Sequence, residues 1–256
     1  AQELSVRHYL SRTVAEIPNR AIQFCATALR ETFLQDAICH RWSFSVATRH
    51  RAIVLPDGCR DVIVKFTPKV APAVFLTDLD ISAYQVELNP GEHLVGVRLV
   101  PGANINQRSL FVNNTRDFCP EKAIDRALDA VIMPEDGASE ALFLFSSSSC
   151  SRVSAARKLG VSERTLRRTV MRATGWPPSR WLALARARRC AYALAFEDHP
   201  LAEIAANTGY ADQAHMTRDM ASWFQMTPRQ LRDNATIKPL LSQPGYALNE
   251  FVRSSD

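Results

Sequence analysis

Residues 160–189 read GVSERTLRRTVMRATGWPPSRWLALARARR, and residues 204–232 read IAANTGYADQAHMTRDMASWFQMTPRQLR. The two stretches follow one pattern. Leu166, Arg168, Gly175 and Pro178 recur at an offset of 50 as Met216, Arg218, Gln225 and Pro228. Upstream, Ala156 and Gly160 recur at an offset of 49 as Ala205 and Gly209, so one copy has a turn one residue longer. Repetition over such a period marks a duplicated supersecondary unit.

Each copy has the parts of a helix-turn-helix. In the first, Val153, Ala156 and Leu159 give a short helix an apolar face, and the small Ala156 lets a second helix approach closely. Gly160 supplies the left-handed conformation that ends the helix. Ser162 is placed to cap the next one. Leu166 and Val170 bury that helix and leave Arg164, Arg167 and Arg168 on its other faces. In the second copy, Leu201, Ile204 and Ala205 build the first helix, Gly209 turns the chain and Asp212 caps. Met216 and Met220 face inward there, while Gln213, Thr217 and Arg218 point out.

Between the copies, residues 179–196 read as one helix with a buried stripe of Trp181, Leu184, Ala185, Ala191 and Tyr192. At 1.5 Å per residue it is about 27 Å long. Such a strut would hold two exposed helices roughly one turn of DNA, ~34 Å, apart. An exposed helix of this kind fits the major groove, where Arg bonds bidentately to guanine and Gln to adenine. Arg186 and Arg189 on the strut could reach phosphates or lie on a solvated face.

The charge distribution agrees with a polyanionic partner. The net charge is +5, but residues 1–150 sum to −2, residues 151–232 to +8 and residues 233–256 to −1. Within the basic segment, residues 152–189 hold 11 basic side chains and one acid, Glu163. A solvated face usually mixes signs; a nearly pure run of arginine is the footprint of a nucleic-acid surface.

The two quoted stretches resemble the DNA-binding domain of AraC-type transcriptional regulators, over roughly Ser139 to Asp233. The resemblance implies seven helices, the first near Ser139 to Phe145, so that the serine run Ser146–Ser149 is a loop between helices. It implies DNA contacts from the third and sixth helices, here Arg164, Thr165, Arg167 and Arg168, then Gln213, His215, Thr217 and Arg218. It also implies RNA polymerase as a partner and, ahead of this domain, a sensor for a small-molecule effector, often dimeric. Gln225 departs from the family, which usually has Gly there. Residues 197–232 carry three arginines and five acids, so the first unit is expected to supply most of the affinity.

The amino-terminal half is strand-like. Residues 52–55 and 62–66 are β-branched and apolar, with the turn formers Pro56, Asp57 and Gly58 between them. Further runs at 73–77, 84–88 and 94–100 suggest a sandwich or barrel. Residues 21–34 fit a helix or a pair of strands. The segments VLPDGCRD (54–61) and GVRLVPG (96–102) resemble β-rich sensor domains found ahead of this DNA-binding domain, which in the wider family are cupin-like barrels. Asp57, Arg60, Asp61 and Arg98 suit turn and core-edge hydrogen bonds, or some of them line a ligand pocket. Arg49, Arg51, Arg60 and Arg98 would form a basic rim for an anionic effector. Residues 120–133 read as a trailing helix in which Ala123, Ala127, Leu128 and Val131 share a face, a candidate homodimer contact.

The expected fold is α+β in two domains. A β-rich cupin-like barrel or sandwich occupies 1–132, an all-α domain of two helix-turn-helix units joined by a linker helix occupies 138–235, and a tail runs over 236–256. Six cysteines without zinc-ligand spacing suit a reducing cytoplasm, and no metal or cofactor is assigned. No apolar stretch is long enough for a membrane span and no secretory signal is visible. No catalytic residues are assigned: there is no GxSxG elbow and no reactive-cysteine motif. The expected function is sequence-specific binding of double-stranded DNA in transcription regulation. The competing reading is an interaction module or anti-activator with weak DNA binding, supported by the acidic second unit.

Overall fold

A computed structural model describes residues 38–105, 120–147 and 150–248. The undecided segment 21–34 lies outside the described residues. The chain divides into two compact units: one holds 1–54, 59–78 and 85–133, the other 55–58, 79–84 and 134–256.

The first unit is strand-rich. Its strands are β1 (Ile38–Ser45), β2 (His50–Val54), β3 (Asp61–Thr67), β4 (Val70–Leu76), β5 (Tyr84–Leu88), β6 (His93–Leu99), β7 (Asn104–Ile105) and, after helix α1 (Pro120–Asp129), β8 (Val131–Ile132). They form a four-stranded sheet ordered β1-β6-β3-β4 and the two-stranded sheets β2-β5 and β7-β8. β1, overlooked at the level of the sequence, pairs antiparallel with β6, placing Trp42 opposite Gly96 and Phe44 opposite Leu94. A Cβ at Gly96 would lie 2.1 Å from the Trp42 ring, so only glycine lets that indole lie flat on the neighbouring strand.

Side chains alternate across β3, and each face has its own core. Val62 and Val64 face Val97, Leu99, Ile105 and the α1 residues Ile124, Ala127 and Leu128. Ile63 faces Trp42, Phe44, Leu94 and, from the smaller sheet, Ala52 and Leu88. Of the stripe proposed for a dimer, Ala127 and Leu128 are core, buried with Ile124 against the sheet of their own unit, and Val131 lies beyond the helix in β8.

The second unit is helical, with α2 (Asp136–Ser146), α3 (Arg152–Lys158), α4 (Glu163–Thr174), α5 (Pro178–Phe196), α6 (Leu201–Asn207), α7 (Gln213–Phe224), α8 (Pro228–Asp233) and α9 (Ile237–Leu241). Proline at the first helical position starts both α5 and α8, where its missing N–H costs nothing. α5 is the axis of this unit. Trp181, Leu184, Ala185, Ala187, Cys190, Ala191 and Leu194 are all buried, on several sides of the helix rather than along one stripe. Its many alanines let neighbouring helices approach from all sides. Tyr192, expected in that stripe, is 39% exposed and stacks on Phe196 with ring centroids 4.5 Å apart.

An aromatic cluster closes the end of the axis. Trp181 lies 5.3 Å from Trp176 and 5.0 Å from Tyr246 between centroids. Trp181 Nε1 donates to Thr174 Oγ1 at 3.0 Å, so the one polar atom of a fully buried indole is satisfied. The tail contributes to this core: Ile237, Leu240, Leu241 and Tyr246 are buried, and Tyr246 Oη donates to the Leu142 carbonyl. Arg188, 1% exposed, donates from Nε to the Tyr246 carbonyl at 2.7 Å and from Nη1 to the Pro56 carbonyl at 3.1 Å. The turn residues 55–58 thus belong to the core of this unit, and Asp57 is 1% exposed.

Candidate nucleic-acid interface

Both turns have the same hydrogen-bonded closure. In the first, Val161 N donates to the Ala156 carbonyl at 3.0 Å and Gly160 N to the Arg157 carbonyl at 3.2 Å, with Gly160 at φ 65°. In the second, Tyr210 N donates to the Ala205 carbonyl at 2.9 Å and Gly209 N to the Ala206 carbonyl at 3.2 Å, with Gly209 at φ 84°. This paired closure is the Schellman motif, and it needs the left-handed residue that glycine supplies. One residue separates Gly160 from the cap Ser162, and two separate Gly209 from the cap Asp212, which accounts for the change of repeat offset.

The caps fix where each exposed helix begins. Ser162 Oγ accepts from Thr165 N at 3.1 Å, and Asp212 Oδ1 accepts from His215 N at 2.6 Å. α4 then buries Leu166, Val170 and Thr174, spaced by four residues, against its neighbours. Arg164, Arg167 and Arg168 are exposed on the opposite side, and Thr165 is half-buried within hydrogen-bonding distance of the capping serine. Met171, 47% exposed, continues the arginine face one turn further on. Sequence reasoning passed over it, although its spacing of three and four residues from Arg168 and Arg167 was legible. An apolar side chain there suits contact with a thymine methyl group.

On α7, Met216, Met220, Trp223 and Phe224 are buried. Gln213 and Arg218 are exposed, whereas His215 and Thr217 are half-buried. Thr217 Oγ1 donates to the Gln213 carbonyl at 2.8 Å, leaving its oxygen lone pairs outward as acceptors. The His215 ring packs edge-on against Tyr210, centroids 5.1 Å apart.

Three of the four arginines on α5 turn inward, while Arg180 near its start is exposed and lies over the Trp176 ring. Arg186 pairs with Asp219 at 3.0 Å, Arg188 is buried, and Arg189 Nη1 donates to the Ser146 carbonyl. Burial lowers the pKa of Arg189 from the usual guanidinium value. Arg186 and Arg189, open above to either phosphate contact or a solvated face, thus each direct a terminal nitrogen to the protein itself. Burial also pushes the Cys190 thiol up to about 11, which keeps it protonated and inert. Val153 is 53% exposed, and Ala155 rather than Val153 joins Ala156 in the contact with neighbouring helices. The exposed positive charge therefore concentrates on α3 and α4.

Three of the five acids of residues 197–232 are also engaged. Asp212 caps α7, Asp219 holds Arg186, and Glu203 lies 3.2 Å from His199 Nδ1. Fewer free carboxylates face solvent than the sequence count implies.

In the first unit, the four arginines proposed for an anionic effector separate into different environments. Arg49 and Arg51 are exposed and converge on Glu87 at 2.8 and 3.2 Å. Arg60 Nη1 donates to the Ala103 carbonyl at 3.2 Å. Arg98 is buried and meets Asp61 through two hydrogen bonds of 3.1 Å. Among the described residues no cluster of three His, Cys, Asp or Glu could hold a metal, and no helix is long and apolar enough to cross a membrane.

The helix-turn-helix domain family matches residues 155–234. The HTH-type transcriptional activator RhaS of Salmonella arizonae is 31% identical over 84 residues. That match takes in 33% of this chain and 30% of the relative, so the chain matches about a third of that protein's length. Among solved structures, a transcriptional regulator from Chromobacterium violaceum described by its AraC-type DNA-binding domain is 25% identical, with a TM-score of 0.36 over 43% of this chain and 95% of that one. ToxT from Vibrio cholerae is 12% identical, with a TM-score of 0.40 over 75% of this chain and 95% of its own. The duplicated helix-turn-helix, the family match and the bacterial relative agree: residues 155–234 of this chain are a helix-turn-helix domain similar to the DNA-binding domains of AraC-type transcriptional regulators.

Proposed function

We propose that the protein binds double-stranded DNA in a sequence-specific manner and regulates transcription, with a small-molecule effector held by its strand-rich unit. One observation carries the first part. Two helices, α4 and α7, follow identical Schellman turns, are capped by a side-chain oxygen, and carry polar or basic side chains away from their buried faces. No chemistry on a substrate is required of such a surface. Arg164, Arg167, Arg168, Gln213 and Arg218 are exposed and have the donors that read guanine and adenine edges or hold phosphate. Thr165, His215 and Thr217 sit at the margins of the same helices, beside the caps and turns.

For the effector, Arg49 and Arg51 are the accessible pair of the four arginines, and an anion would compete with Glu87 for them. RNA polymerase and a second copy of the chain are the further partners of this reading. The interaction-module alternative rested on the surplus acid of the second unit, and the engagement of Asp212 and Asp219 weakens that support.

The test is selection of duplexes from a random pool by the full chain, followed by footprinting. The expected result is enrichment of one sequence with two protected segments about one helical turn apart. Binding without enrichment, or no binding, would count against the proposal.

A further inference from the structure

Arg186, Tyr210 and Asp219 come from the middle of α5, the turn after α6 and the middle of α7. Their side chains meet. Arg186 Nη2 donates to Asp219 Oδ2 at 3.0 Å, and its guanidinium carbon lies 4.6 Å from the centre of the Tyr210 ring. Tyr210 is 5% exposed, and its ring stands perpendicular to the His215 imidazole, at 89°. α7 is therefore held at two points one helical turn apart, His215 at its start and Asp219 at its middle. Two such points fix the rotation of a helix about its own axis as well as its distance from α5. The ion pair is partly buried, with side chains 29% and 24% exposed, so salt screens it less than a surface pair. A planar guanidinium can bond the carboxylate and lie over the ring at once; an ammonium group cannot do both in that geometry.

We propose that Arg186, Tyr210 and Asp219 are positioning residues that set the rotation of α7 and orient His215 toward the second half-site, without touching DNA themselves. This rests on the DNA-binding reading above. It predicts a sign opposite to the simple electrostatic expectation. A carboxylate facing phosphate repels it, so removing that charge strengthens binding; a carboxylate that holds the helix in place weakens binding when removed.

The experiment uses the full chain and a duplex selected by the wild-type protein from a random pool, read by hydroxyl-radical footprinting and titration. Asp219→Asn and Arg186→Met are each expected to lose about tenfold in affinity, with protection lost over one half-site and kept over the other. The double variant is expected to lose no more than either single one. Arg186→Lys, a milder change that keeps the charge, is expected to show a partial loss confined to that same half-site. Tyr210→Leu, which removes the support under His215, is expected to lose protection there too. Tighter or unchanged binding by Asp219→Asn, equal weakening over both half-sites, or a wild-type footprint from Arg186→Lys overturns the proposal. A wild-type chain that selects no duplex overturns the DNA-binding reading itself, a distinct result because it precedes any comparison of variants.

Discussion

Gln225 occupies after α7 the left-handed position that Gly175 occupies after α4. Gly175 has φ 79° and ψ −5°, and Gln225 has φ 56° and ψ 29°. The N–H of each donates to the carbonyl four residues back, at 2.9 Å from Gly175 and 3.1 Å from Gln225. The replaced glycine thus leaves the helix ending in the same way, with a side chain held where side chains are disfavoured. Gln225 Nε2 donates to the Ser222 carbonyl at 3.1 Å and recovers part of that cost.

Gln225→Gly is therefore expected to stabilise the helical unit. A left-handed non-glycine residue costs about 1–2 kcal/mol, and the greater freedom of glycine in the unfolded chain returns about 0.4–1 kcal/mol of it. A net gain of about 0.5–1 kcal/mol follows. Urea unfolding should show a higher midpoint with an unchanged slope. A lower midpoint would mean that the Ser222 hydrogen bond outweighs the backbone strain.

Arg168→Ala should weaken binding to the selected duplex. Its side chain is exposed on the α4 face opposite Leu166 and Val170, so truncation leaves the fold intact. The loss expected for a base contact is about 1–3 kcal/mol, with relaxed preference at one position. A uniform loss across all sequences would reassign the residue to phosphate, and no loss would remove it from the interface.

Salt dependence separates the basic residues that face outward from those that face inward. Affinity should fall steeply with salt because bound arginines release counterions from the duplex. Arg164→Gln and Arg167→Gln should each flatten that slope by up to about one ion. Arg188→Gln should leave the slope unchanged and lower stability instead, because Arg188 is buried on the Pro56 and Tyr246 carbonyls. A flattened slope for Arg188→Gln would place that side chain at the DNA.

The repeat made the helical unit legible because its parts are local. A glycine, a capping oxygen and an apolar spacing act over a few residues, and two copies test each other. The strands at 62–66 and 94–100 were legible from apolar runs, and the one at 84–88 from the alternation of Tyr84, Val86 and Leu88 with polar positions, for the same reason. What sequence alone did not yield depended on contacts between distant residues. β1 escaped because Cys39, His40, Arg41 and Ser43 interrupt its apolar positions, and only its pairing with β6 makes it a strand. The inward turn of Arg186, Arg188 and Arg189 escaped because charge counting cannot distinguish a groove-facing arginine from one bonded to a carbonyl 132 positions away, as Arg188 is to Pro56. Tyr192 was read as buried from its spacing, but alanines and Cys190 already fill the core around α5.

The last prediction concerns Arg98, assigned from the sequence either to core hydrogen bonding or to an effector pocket. Its side chain is 1% exposed and that of Asp61 is 8% exposed. Asp61 Oδ1 also accepts from Trp42 Nε1 at 3.3 Å, which ties β1, β3 and β6 together through one carboxylate. Removing one member of a buried pair strands the other, at a cost of about 3–5 kcal/mol. Arg98→Ala should therefore lower the urea midpoint of the strand-rich unit sharply. Replacing both members, as Arg98→Met with Asp61→Leu, should cost less than Arg98→Ala alone because no charge is left buried. An effector anchor would behave differently: its truncation would spare the fold and abolish ligand binding. Arg98→Ala unfolding at the wild-type midpoint would end the structural assignment, whereas the pattern expected here directs the search for an anion to the exposed Arg49 and Arg51.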